Sequence, residues 1–196
     1  MTEAEALAEF EAAGALLKGH FILFSGLHSD TYLQCARVMM DARRGERLCA
    51  ALAQKLRAAG LGPFDMIVSP ATGGIVVGYE MGRQLGVPAV FFERVEGVFT
   101  LRRGFEISPG ARCLMVEDVV TTGASSIECI AAAREQGGDV VAAASLVNRS
   151  GGRADLSLPL VSLLTIDVPA YPEHALPDAL KAIPPMKPGS RGLKQK

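Results

Sequence analysis

Residues 114–125, Leu-Met-Val-Glu-Asp-Val-Val-Thr-Thr-Gly-Ala-Ser, set two adjacent carboxylates, Glu117 and Asp118, after an apolar run and before a loop of hydroxyl and small side chains. The stretch from Ile127 to Gln136 reads as a helix opening off that loop. Free N–H groups and the positive dipole end make such a helix start an anion site. Gly123 and Ala124 permit close approach of a phosphate, and Thr121, Thr122 and Ser125 add hydroxyl donors. Carboxylates next to an anion cradle repel the same anion, so they need a different partner. Ribose hydroxyls supply one: the acids accept two hydroxyl hydrogens while residues 121–125 hold a 5′-phosphate. No lysine follows Gly123 and no G-x-G-x-x-G occurs, which excludes a P-loop and a dinucleotide fingerprint.

The surrounding chain must deliver these groups to one place. Thr2 and Glu5 have the spacing of a capping box, and the Ala-rich run through Leu7 and Phe10 to Leu17 predicts a first helix ending near Gly19. From His20 to Met40, apolar residues flank the polar turn Ser25 to Asp30, the pattern of two short strands around a loop. Leu48, Leu52 and Leu56 mark one face of a helix over 43–59, stopped by Gly60. Strand and helix then alternate: 66–68, 75–85, 89–92, 112–116, 127–136, 140–147 and a last strand at 161–166. That order predicts one α/β domain over residues 1–196, a central mainly parallel sheet with helices on its faces and ligand at the strand carboxyl ends. A Pro-rich basic tail is expected from about 177.

Composition narrows the partner. The 196 residues carry 20 Lys plus Arg against 21 Asp plus Glu, which disfavours nucleic acid or a membrane surface and favours a small molecule. The uncharged stretch 66–79 is broken by Pro70, Gly73, Gly74 and Gly78, and the start is acidic, so neither a membrane span nor a signal peptide is expected and the cytoplasm is the default. Cys35, Cys49, Cys113 and Cys129 are widely spaced and read as buried reduced thiols. His20, His28 and His174 show no Ser/His/Asp order or HExxH spacing and read as surface or satisfied residues, while Met39 and Met40 read as core.

The strand, acid pair and Thr/Gly-rich loop resemble the phosphoribosyl-diphosphate (PRPP) motif of the type I phosphoribosyltransferases. Residues 19–34, Gly-His-Phe-Ile-Leu-Phe-Ser-Gly-Leu-His-Ser-Asp-Thr-Tyr-Leu-Gln, are similar to the hood of the orotate-specific family, as is Lys187-Pro-Gly-Ser-Arg191 to its ending. Ser69-Pro-Ala-Thr-Gly-Gly74 resembles the diphosphate loop. The resemblance implies the type I phosphoribosyltransferase fold and transfer of ribose 5-phosphate from PRPP to orotate, yielding orotidine 5′-monophosphate and diphosphate in pyrimidine synthesis. It implies a small hood with elements over about 1–40, Mg²⁺ held mainly through PRPP, no direct protein metal ligand, and a homodimer. By position it assigns Glu117, Asp118, Val119, Val120, Thr121, Thr122, Gly123, Ala124, Ser125, Ala71, Thr72 and Gly73 to PRPP. It assigns Thr121, Arg149, Tyr32 and Leu33 to orotate, and Arg102 and Arg103 to a mobile lid over 94–104. Taken alone, Arg149 reads equally as a surface arginine, and Arg102 and Arg103 as a solvated strand-edge pair.

Three departures from the family pattern stand out: Phe24 and Gly73 replace lysines, and the lid has Arg94, Arg102 and Arg103 as its only bases. They are read as variation within a shorter-lid branch. A purine phosphoribosyltransferase and a non-catalytic PRPP-binding regulator remain the alternatives, the second disfavoured because no helix-turn-helix or basic stripe is visible.

Overall fold

The computed structural model describes residues 1–23 and 25–188. Helix α1, Glu3–Ala12, starts with the expected box: Glu5 N–H donates to Thr2 Oγ1 at 3.2 Å and Thr2 N–H to Glu5 Oε2 at 2.7 Å. It ends earlier than the Ala-rich run suggests, because the chain turns left-handed at Gly14 and Leu16 already begins a strand. Strands β1, Leu16–Ile22, and β2, His28–Leu33, form an antiparallel hairpin. The following residues correct the strand expectation. Gln34 N–H is tied back to Ala15 O at 2.9 Å, and Cys35–Met39 coil into a short helix, α2, that leaves Met40 82% exposed and outside the core.

Asp41 caps α3, Ala42–Ala58, by accepting from the N–H groups of Arg43 and Arg44. Next come β3, Met66–Pro70, α4, Gly73–Leu85, β4, Ala89–Val95, and β5, Val98–Leu101. The chain continues through β6, Arg112–Val120, α5, Ala124–Glu135, β7, Asp139–Asn148, and β8, Leu160–Thr165. A single 3₁₀ turn at Glu173–Ala175 and the short helix α6, Asp178–Lys181, follow. β5 was not expected: part of the lid segment is a hairpin with β4, closed by the left-handed pair Glu96 and Gly97.

The main sheet has the order β5-β4-β3-β6-β7-β8 and is parallel except for β5. Period-two alternation sorts its side chains into two layers. Ile67, Leu114, Val116, Ala142 and Ala144 pack with Phe10, Leu48, Leu52, Leu56 and Met81 of α1, α3 and α4. Val68, Cys113, Met115 and Ala143 pack with Cys129, Ile130 and Ala133 of α5. Each fully buried Leu or Ile here stabilises the fold by roughly 2 kcal/mol on area grounds. All four cysteines are buried and free. α1 therefore belongs to the main core, and the hood is the β1–β2 hairpin backed by the returning tail.

The tail clasps that hairpin. His28 N–H donates to Tyr171 O, Ile22 N–H to Met186 O and Ser29 Oγ to Pro169 O, each at 2.8 Å. His20 and His28 are buried and bonded to one another, Nε2 to Nδ1 at 2.6 Å, and His20 Nδ1 lies 2.8 Å from Ile183 O. A carbonyl only accepts, so His20 donates through Nδ1, and one hydrogen lies between His20 Nε2 and His28 Nδ1; both rings are hydrogen-bonded within the protein. The expected docking of the tail to Arg191 extends past the described residues. Among the described residues, no helix is long and apolar enough to cross a membrane.

Candidate active site

β3 leads through α4 to β4 on one side, and β6 leads through α5 to β7 on the other, so the gap between β3 and β6 is where the strand order reverses. Open α/β sheets bind ligands outside the carboxyl ends of strands at such a point. A cavity of about 1030 Å³ opens there. Glu117, Asp118, Val119 and residues 121–126 form its floor, Leu23, Ser25, Leu27, Tyr32 and Leu33 its hood wall, and Arg149, Arg153 and Pro169 its far side.

Glu117 and Asp118 lie within β6 rather than beyond it, since the ladder to β7 continues to Val120. Alternation sends the two carboxyls in different directions. Burial pushes Glu117 up to about 7; the Asp118 charge adds to that, while a hydrogen bond from Ser126 Oγ and the Arg94 charge oppose it. Burial also raises Asp118, against the pull of the Val119 N–H that donates to its Oδ1 at 2.9 Å. Two acids held among protein atoms beside an anion loop are electrostatically costly in the empty protein, which marks a site built for a ligand.

The loop after them has the form an oxyanion needs. Gly123 takes φ +84° and has no side chain to cap α5; Ala124 N–H makes a long bond to Thr122 Oγ1 at 3.4 Å, and the N–H groups of Ser125 and Ser126 stay available. A Cβ on Gly123 would come within 2.6 Å of Leu156 Cδ2, so space and backbone both demand glycine. Thr121, Thr122, Ala124 and Ser125 line the cavity as expected. Val120 does not: its side chain is in the core and its carbonyl accepts from Arg149 N–H at 2.8 Å.

The basic residues fall into distinct states. Arg94 spans from β4 to α5, 2.6 Å from Glu128, with its guanidinium 4.0 Å from the Phe99 ring centre. Arg153 is bidentate to Asp167. Arg149 lines the same cavity half-buried, its charge disfavoured by burial, and forms no salt bridge among the described residues. Tyr32 stands near it, stacked on Phe21 at 5.7 Å, and burial and the Asp118 charge raise its hydroxyl pKa. Arg102 and Arg103 are exposed outside this cavity; Arg103 pairs with Glu93 at 2.8 Å. Ala71 and Thr72 also lie outside its lining, whereas Gly73 abuts its floor.

Residues 39–175 match the phosphoribosyl transferase domain family. The chain is 57% identical over 194 residues to the orotate phosphoribosyltransferase of Methylorubrum populi, covering 98% of each, and 57% identical to that of Caulobacter vibrioides, covering 99% of this chain and 100% of that one. The chain belongs to the orotate phosphoribosyltransferase family.

Solved structures agree at the level of fold. The orotate phosphoribosyltransferase of Aeropyrum pernix superposes with a TM-score of 0.69 at 26% identity, over 82% of this chain and 92% of that one. An adenine phosphoribosyltransferase gives 0.64 at 18% identity, over 80% of this chain and 99% of that one. The type I phosphoribosyltransferase fold is thus shared across enzymes named for different bases.

The departure at Gly73 has a steric reason. A Cβ there would lie 2.7 Å from both Asp118 carboxyl oxygens, so in this family member no lysine fits without moving the acid. Phe24 lies outside the described residues. Sequence reasoning passed over Ser126, Glu128, Arg153 and Asp167. The first two carried a signal, being polar residues on α5 within one turn of the recognised loop; Asp167 joins the site just past the end of β8, where it bridges Ser150 and pairs with Arg153.

Proposed function

We propose that this orotate phosphoribosyltransferase family member transfers ribose 5-phosphate from PRPP to orotate as a single catalytic domain with a hood, working in the cytoplasm as a homodimer. The observation that carries the reading is Arg149, a half-buried guanidinium that lines the cavity with no acidic partner among the described residues, beyond the acid pair. A planar guanidinium suits a carboxylate or carbonyl edge, and orotate has both. Tyr32, Leu33 and Leu23 supply the flat apolar wall for its ring, with Thr121 at the junction with the sugar.

PRPP would lie across the strand ends. Residues 121–125 hold the 5′-phosphate on the α5 start, Glu117 and Asp118 take the ribose hydroxyls, and the Ala71 to Gly73 turn approaches the diphosphate. Mg²⁺ would arrive on diphosphate and ribose oxygens with some of its waters, hard ligands that it prefers. The acid pair fits a cation-loaded substrate, because it would repel bare PRPP. When bound, the ion neutralises the leaving diphosphate.

Rupture of the anomeric C–O bond leaves positive charge on the ribose, and the Asp118 carboxylate, fixed beside it by Val119 N–H, stabilises that charge as it grows. The orotate ring nitrogen then supplies the electron pair for the new C–N bond, and the proton of its N–H leaves to the departing diphosphate or to water. No covalent nucleophile is required; positioning and fixed charge suffice. Arg102 and Arg103, outside their own subunit's cavity, would close over the partner's diphosphate.

Loss of orotate absorbance with PRPP and Mg²⁺, run beside hypoxanthine, guanine, adenine and uracil, tests the proposal. Consumption of orotate alone is expected; turnover of a purine, or PRPP binding without turnover, would overturn it. Arg149→Ala should raise the orotate KM roughly 10- to 100-fold, as for loss of a charged hydrogen-bond partner, with PRPP KM within about twofold. An unchanged orotate KM would remove Arg149 from the base site.

A further inference from the structure

The buried face of α5 carries Ser126, Cys129, Ile130 and Ala133 at i, i+3, i+4 and i+7, with Ala132 at its edge, and all but Ser126 are apolar or thiol side chains in the core. Ser126 is fully buried, and its hydroxyl donates to Glu117 Oε2 rather than back-bonding within the helix. Among the described residues Glu117 Oε1 has no hydrogen-bond partner in the protein, so that oxygen is left for the cavity.

Resting on the ribose assignment above, we infer that Ser126 is a positioning residue of the transfer reaction: its hydroxyl fixes the Glu117 carboxylate in the orientation it presents to the ribose. Four groups from three elements complete its surroundings. Asp118 on β6 opposes ionisation of Glu117 and Arg94 on β4 favours it. On α5, Glu128 engages Arg94, and the Cys129 thiol has its pKa raised, first by burial, and stays neutral. A hydroxyl donor can bond an ionised carboxylate through the same oxygen throughout the reaction, and it adds no charge that would repel the ribosyl cation. Ser126 thus does for Glu117 what the Val119 N–H does for Asp118.

The test is the pH dependence of PRPP KM in Ser126→Ala, Ser126→Thr and Glu117→Gln, with kcat read separately. Losing a hydrogen bond to a charged acceptor should move the midpoint for tight PRPP binding up by about one pH unit in Ser126→Ala, raising KM roughly fivefold at pH 7 and about tenfold well below the midpoint. That KM should return to within about threefold of the wild-type value well above the midpoint. Ser126→Thr, which keeps a hydroxyl, should restore the midpoint. Alanine favours a helix, so folding should survive, and a circular dichroism melt checks it. An unchanged midpoint in Ser126→Ala, or a KM defect of equal size at every pH, would overturn the positioning role. Wild-type PRPP KM in Glu117→Gln would instead overturn the ribose assignment, whatever the serine variants do.

Discussion

Glu117 and Asp118 on one side of the sheet's carboxyl edge, and Arg102 and Arg103 beyond the other, carry the opposite charges this reaction needs, yet the fold holds them in opposite ways. The acids are drawn into the protein, and burial raises both pKa values. The arginines are exposed, and Arg103 rests on Glu93, whose carboxyl it holds below the usual range. On the proposed reading, the charges needed before the ribosyl cation forms are built into a strand, where preorganisation costs folding energy. Those proposed to come and go with diphosphate sit just past a hairpin, where an exposed ion pair breaks at little cost.

The largest expected effect breaks the rigid half. Asp118→Asn is near-isosteric and removes charge facing the cation, and kcat should fall on the order of 100- to 1000-fold, the scale for a preorganised electrostatic group. Stopped assays with saturating PRPP measure it. Wild-type turnover and PRPP affinity would place the ribose elsewhere.

The mobile half is tested by mixing subunits. If Arg102 and Arg103 act in trans, an Asp118→Asn subunit paired with an Arg102→Ala/Arg103→Ala subunit makes a heterodimer with one wholly mutant and one wholly native site. Each parent should be nearly inactive and the heterodimer should recover roughly half of wild-type activity. Subunit exchange proved by mass spectrometry, without recovery, would mean closure in cis or other working residues.

Gly73→Ala probes the seam between the halves. The new methyl would meet the Asp118 oxygens at 2.7 Å, so the acid must turn away and kcat should drop about tenfold, the cost of a displaced catalytic group. Full activity would show that Asp118 tolerates displacement, against the rigid picture.

The rigid half was legible in the sequence and the mobile half was not. The strand, acid pair and loop occupy contiguous residues, so local rules place Glu117, Asp118 and residues 121–125 in one site; the strand's continuation past the acids, which takes Val120 into the core, and the contact of Ser126 with Glu117 were missed because both are tertiary facts. Leu48, Leu52 and Leu56 face the core because a helix of period 3.6 leaves no other choice. Residues 94–104 read as an open loop because β5 is short and pairs only with β4. Arg94 lies in the same segment, yet its role depends on Glu128 across the sheet edge, and the histidine pair depends on a tail carbonyl at Ile183. Sequence spacing carries no trace of such contacts.

The smallest effect separates the halves by stability alone. Burial raises Glu117 from its ordinary value near 4.5 to about 7, so the free protein favours its neutral form. Stability from this group is therefore complete below about pH 4.5 and is lost as pH rises through 7, amounting to roughly 3 kcal/mol by pH 8 from the pKa difference. Glu117→Gln cannot ionise and should melt up to roughly 6 to 12 degrees higher than wild type at pH 8, with the difference shrinking as pH falls towards 4.5, in thermal melts without PRPP. Glu93→Gln supplies the contrast: its carboxyl is held low by Arg103 on an exposed surface, so the sign is opposite and the shift should be below about one degree. Equal melting of Glu117→Gln and wild type across this range would mean that the acid pair is not strained in the empty site. The two halves would then differ in mobility alone.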